Sequence, residues 1–146
     1  MTTSELTQRR PDAEGRGIQP RNVLLWVLQI ALAFQAFAGG AYKLFAFDEL
    51  AKVPAAAALS RGGWGALGVL EIVCAVLLVV PAAVRWRPGL TPLAAVVLAL
   101  ESLALAGLYA RYSLALAATN PLVWVVAAAV MAALVAYGRY APRRAA

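Results

Sequence analysis

The sequence predicts an all-α integral membrane protein folded as a four-helix bundle, and three observations carry the prediction. Of 146 residues, 63% are hydrophobic and only 14% are charged, where a soluble domain averages about 45–50% apolar and about 25% charged residues. Mean hydropathy is +0.75. The apolar residues also gather into four runs, each near the roughly 20 residues that a helix needs to cross a bilayer. The length allows one domain. We expect a disordered cytoplasmic tail over residues 1–21, a bundle over 22–140 and a short basic tail over 141–146.

The first twenty residues, MTTSELTQRRPDAEGRGIQP, are polar, mixed in charge and contain proline and glycine, a composition that cannot bury a core. No apolar segment with a small-residue cleavage site precedes the first span, which is therefore expected to act as an uncleaved anchor. That span is predicted from Val23 to Phe45. The second runs from Trp64 to Val84, with Pro81 near its end. The third runs from Leu90 to Tyr109, and its Thr91-Pro92 reads as an N-cap followed by proline at the first helical position. The fourth opens on the same device, Asn120-Pro121, and runs to about Tyr137. The connections are Asp48–Gly63, Arg85–Gly89 and Arg111–Thr119.

Basic residues set the orientation. Arg9, Arg10, Arg16, Arg21, Arg85, Arg87, Arg139, Arg143 and Arg144 share one side, against Lys43, Lys52, Arg61 and Arg111 on the other. The positive-inside rule puts both termini in the cytoplasm, as an even number of spans requires. The net charge of +6 thus serves topology, and nucleic acid is not an expected partner, since no basic helix face or recognition module is present. All five tyrosines, with Trp26, Trp64, Trp86 and Trp124, fall near predicted helix ends and are expected to form aromatic belts at the two interfaces. Small residues at four-residue spacing, such as Ala36 with Gly40, Gly65 with Val69 (Gly68 beside them), and Ala106 with Ala110, point to close helix packing.

With one cysteine, Cys74, and no histidine, the chain has no means of forming an intramolecular disulfide, a CxxC redox centre, a His-ligated haem or a usual zinc site. No metal is expected, and any redox role needs an organic cofactor or a partner protein. Cys74 reads as a small apolar filler.

Few polar residues of the predicted spans need a special explanation: Gln29, Gln35, Lys43, Glu71 and Glu101, with Arg111 at an edge. A charge near a helix centre costs roughly 2.5–3.5 kcal/mol on insertion scales. At about 1.5 Å per residue, Lys43 lies about 30 Å along the first span, near the outer interface. Glu71 lies about 10 Å into the second and Glu101 about 15 Å into the third. Lys43 either snorkels to the interface or, if the first two spans are neighbours, pairs with Glu71 at similar depth. Glu101 is either a protonated carboxyl in the core or the partner of a glutamine such as Gln35. Gln29 is expected to make an interhelical hydrogen bond.

These residues fall in motifs. G-G-A-Y-K-L-F, Gly39–Phe45 at the end of the first span, resembles the G-x-x-K-L signature of the DoxX-like membrane proteins. L-G-V-L-E, Leu67–Glu71, resembles that family's G-x-x-E at the start of its second helix. R-P-G-L-T-P-L-A-A, Arg87–Ala95, and the Asn120 start of the last span are similar to it as well. The resemblance covers the whole bundle. It implies a four-helix fold in the bacterial cytoplasmic membrane, with Gly40, Lys43, Gly68 and Glu71 as pattern positions. Some members are linked to thiosulfate:quinone oxidoreduction or to membrane complexes that handle thiol and oxidative stress, so it also implies a quinone as ligand and a redox partner protein.

Three functions follow from this reading. In the first, the chain binds a quinone or lipid-like molecule and supports a redox partner, with Lys43, Glu71, Glu101, Gln35, Gly40 and Gly68 as the ligand site. In the second, it is a non-enzymatic scaffold, and the Lys43–Glu71 pair only fixes packing. The third is a small proton-coupled transporter, although small multidrug exporters carry their glutamate in the first span, where this chain has Gln29 and Gln35. Association with further copies of the chain is open in each case.

Overall fold

The computed structural model describes residues 19–141; the expected N-terminal tail before Gln19 and the basic tail after Ala141 lie outside them. Four long helices cover most of this range: α1 (Pro20–Phe45), α3 (Arg61–Ala83), α4 (Leu90–Ala110) and α5 (Pro121–Tyr140). A four-residue helix, α2 (Phe47–Leu50), and a 3-10 helix at Pro54–Ala58 lie between α1 and α3. All four long helices are long and apolar enough to cross a membrane.

The helices pack in a ring, α1 on α3, α3 on α4, α4 on α5 and α5 back on α1, so every neighbour in sequence is an antiparallel neighbour in space. Two ends result. The terminal end holds the start of α1, the α3–α4 turn and the end of α5. The loop end holds the segment 46–60 and the connection 111–120.

Helix boundaries follow local chemistry. α1 starts at Pro20, three residues before the predicted Val23, because proline at the first position fixes a helical φ and lacks an N–H that would go unpaired there. It stops at Phe45 as predicted. α3 starts at Arg61 and not Trp64. Ser60 is its N-cap, the hydroxyl accepting from Gly63 N–H at 3.1 Å, which offsets the poor helix propensity of Gly62 and Gly63. Pro81 sits inside α3.

The third span starts at Leu90 as predicted, but the expected Thr91-Pro92 cap is corrected. Gly89 is the N-cap of α4, and Thr91 is its second residue, buried and turned toward α3. The Thr91 hydroxyl lies 3.4 Å from Leu77 O and 3.3 Å from Leu78 O. The reason is Pro81: it has no N–H to give to Leu77 O four residues back, and the threonine fills that gap. Asn120 caps α5 as expected, its Oδ1 accepting from Leu122 N–H at 3.0 Å.

Two apolar clusters fill the ring. One, toward the terminal end, is built on Leu32, Leu78, Leu98 and Val135 with alanines between them. The other, at the loop end, joins Leu50, Ala55, Trp64, Leu105, Tyr109 and Leu122. It forms because segment 46–60 folds back over the bundle: Trp64 Nε1–H donates to Ala56 O at 2.9 Å, and Arg61 lies over the Phe47 ring at 5.2 Å. Trp64 is fully buried and Tyr109 nearly so, so neither belongs to the expected aromatic belt. Trp86, Trp124, Tyr42, Tyr112, Tyr137 and Tyr140 are exposed near helix ends. Along the spans, Phe34, Leu100, Leu103 and Val130 stand outward, an apolar exterior suited to lipid and not to water.

Candidate functional site

The site is built where α1 crosses α3. Gly40 and Gly68 face each other at the crossing: a Cβ on Gly40 would stand 2.5 Å from Gly68 O, and one on Gly68 would stand 2.8 Å from Gly40 O. Only glycine at both positions allows the backbones this close. Three residues on in each helix, and so on the same face, come Lys43 and Glu71. The helices run antiparallel, and every Cα–Cβ bond leans toward its own N-terminus. The two side chains therefore lean toward each other, and Lys43 Nζ donates to Glu71 Oε2 at 2.6 Å. Their side chains are 9% and 12% exposed. Lys43 does not snorkel; it turns inward, because its partner lies on the inner face of the neighbouring helix.

The pair forms part of the wall of a cavity of about 720 Å³ between α1, α4 and α5. The rest of the wall is mostly apolar, with Leu32, Leu98 and Leu105 toward the core. Further polar groups come from Gln35, Tyr42, Ser102 and Tyr109. Apolar walls with a few converging polar groups are the usual make-up of a small-molecule site. The sequence pointed to Gln35 but not to Tyr42, Ser102 or Tyr109, whose role as lining depends on where α4 stands in the ring.

Gln35 and Glu101 do not meet. Gln35 Nε2–H donates to Trp124 O at 2.6 Å, across from α1 to α5. Glu101 is 9% exposed, and neither carboxyl oxygen has a hydrogen-bond partner among the described residues. It does not line the cavity. Gln29 makes the expected interhelical bond, donating through Nε2 to Leu78 O.

Gln29 also belongs to a second polar cluster, at the terminal end. Arg139 donates through Nε to Gln29 Oε1 at 3.0 Å and through Nη1 to Asn22 Oδ1 at 3.1 Å, with its guanidinium 5.2 Å above the Trp26 ring. With Thr91 on the adjacent carbonyls, this cluster joins all four long helices. Sequence reasoning counted Arg139 only as a topology charge. Pro81 signals only the Leu77 carbonyl that Thr91 meets; nothing in the sequence announces the role of Arg139, whose partners are the side chains of Gln29 and Asn22.

Among the described residues no group of three histidine, cysteine, aspartate or glutamate side chains could hold a metal ion. Cys74 is buried and free. No family model matches the chain, and neither a characterised protein nor a solved structure does. Fold and site together define a small helical membrane protein with a charged pair at the wall of an internal cavity.

Proposed function

We propose that this chain is a DoxX-like membrane subunit that binds a quinone-like amphiphile beside the Lys43–Glu71 pair and serves a redox partner. One observation carries the reading: a buried ion pair forms part of the wall of an otherwise apolar cavity large enough for a small organic ligand. An intramembrane charge of this kind marks a functional site by default. Lys43 uses one N–H on Glu71, and the other two are the donors a carbonyl headgroup would take. The chain has no histidine and one cysteine, so electron transfer falls to the ligand and the partner. The order of G-x-x-K and G-x-x-E along the sequence supports the family reading. The basic residues support termini in the cytoplasm, and the family resemblance supports a place in the bacterial cytoplasmic membrane.

The full chain, purified in mild detergent alone and with the products of neighbouring genes, should co-purify with extractable quinone, and Lys43→Met should lose it. Wild-type protein that neither carries quinone nor binds an added decyl-tailed benzoquinone, in both preparations, would sink the reading.

The tight Gly40–Gly68 crossing favours a second reading, in which the pair is only a staple between α1 and α3. Exchange of the charges, Lys43→Glu with Glu71→Lys, separates the two. A staple recovers its stability and the protein loses nothing else. A ligand site recovers stability but not quinone binding.

A further inference from the structure

The cavity has a direction. Toward the terminal end it is closed by the apolar core around Leu32 and Leu98, and beyond it α1 and α5 touch: the Leu25 side chain packs directly over Gly138. Toward the loop end Leu50, Val53 and Thr119 stand across it. The side between α1 and α5 is different. There Ala31, Phe34, Ala38 and Tyr42, one helical stripe, line the cavity and are also exposed on the outside of the bundle. Trp124 does the same from α5. Phe34 is 74% exposed and Trp124 56%. A residue that both lines a cavity and faces outward marks its rim. This rim lies along helices apolar enough to span a membrane, so it opens on lipid. The hydrogen bond from Gln35 to Trp124 O runs between its two sides.

From this we infer that the cavity is loaded sideways from the bilayer, through the gap between α1 and α5, by an amphiphile whose uncharged ring-shaped head enters while its hydrocarbon tail stays in the lipid. The inference rests on the ligand-binding reading above and adds its route and ligand class. A charged molecule would have to cross hydrocarbon to reach the opening, at several kcal/mol. Among the described residues, the only charges lining the cavity, Lys43 and Glu71, already neutralise each other. The aromatic faces of Phe34, Tyr42 and Trp124 at the rim suit a planar head.

The test uses the full chain in phosphatidylcholine–phosphatidylglycerol vesicles with Cys74→Ala and a nitroxide label at Ala38→Cys, an exposed rim position that a label reaches without repacking. Val130→Cys, outward on α5 and 55% exposed, is the lipid reference. Collision with oxygen, which partitions into lipid, is compared with collision with a water-soluble nickel chelate. We expect the rim label to match the reference, with high oxygen and low nickel accessibility. Adding a decyl-tailed benzoquinone to the vesicles should then immobilise the rim label and leave the reference unchanged. Nickel accessibility at the rim well above the reference would overturn lateral entry, whatever binds. A lipid-like rim that the benzoquinone does not immobilise would overturn the ligand class and, with it, the function proposed above.

Discussion

Replacing Lys43 with methionine keeps most of the stem that packs against the α1–α3 crossing but leaves the Glu71 carboxylate buried without its donor. Stranding one partner of a buried pair costs about 3–5 kcal/mol, whereas removing both is often close to neutral. Lys43→Met should therefore lower stability to denaturing detergent by that amount, and Lys43→Met with Glu71→Met should recover most of it. Glu101 calls for a different expectation. Its oxygens have no bonds among the described residues, so Glu101→Gln, an uncharged side chain of the same shape, sacrifices none. The variant should melt no lower than the wild type, and a clear drop would mean that Glu101 holds a partner this arrangement does not show. The contrast explains what was legible. Lys43 and Glu71 could be paired from depth alone, since both partners are side chains with sequence positions. Gln35 could not, because its partner is a backbone carbonyl, and any residue could have supplied it.

At the level of the helix, the close contact at Gly40 is open to a direct check. Alanine there meets Gly68 O at 2.5 Å and Ile72 Cγ1 at 2.8 Å, backbone on one side and packed side chain on the other. Gly40→Ala should cost about 1–3 kcal/mol, as overpacking does, and weaken the Lys43–Glu71 contact. Gly107→Ala on α4 meets nothing within 4 Å and should be neutral or slightly stabilising. If both variants melt alike, the crossing is looser than described. Pro81 offers a second check. Thr91→Val removes the hydroxyl beside Leu77 O and should cost about 1 kcal/mol. In a Pro81→Ala background the helix supplies its own N–H to that carbonyl, and the cost should shrink, a coupling that a double-mutant cycle measures. Sequence placed the four spans correctly because their apolar runs are long. It placed the start of α4 at Leu90 but put the cap at Thr91, because Thr-Pro reads as a cap wherever it occurs; only Leu77 O, left without a helical donor by Pro81, shows why Thr91 is helical and buried.

For the molecule as a whole, the proposed orientation predicts a labelling pattern. Leu59 at the loop end and Trp86 in the α3–α4 turn are both exposed, and Cys74 is buried. A membrane-impermeant thiol reagent added to intact cells should modify Leu59→Cys and spare Trp86→Cys until the cells are opened. The reverse pattern would invert the topology. Ring order was not legible in composition, and the cavity depends on it: the Gly40–Gly68 contact holds α1 on α3, while α1 and α5 meet at Gly138 and both line the cavity where Gln35 reaches Trp124 O. The expected connection Asp48–Gly63 overlaps the folded segment 46–60 and is not a plain loop. It covers Trp64 instead, because its alanines and Leu50 give that ring an apolar seat and Ala56 O an acceptor.

The ion pair also bears on biogenesis. Lys43 and Glu71 are 28 residues apart in the chain, and each sits on a helix that emerges from synthesis with an uncompensated charge. Alone, either helix partitions into hydrocarbon against that charge. Together they enter nearly neutral, with glycines letting the backbones seat against each other. The α1–α3 hairpin is thus the smallest piece of the chain in which the charges of Lys43 and Glu71 cancel.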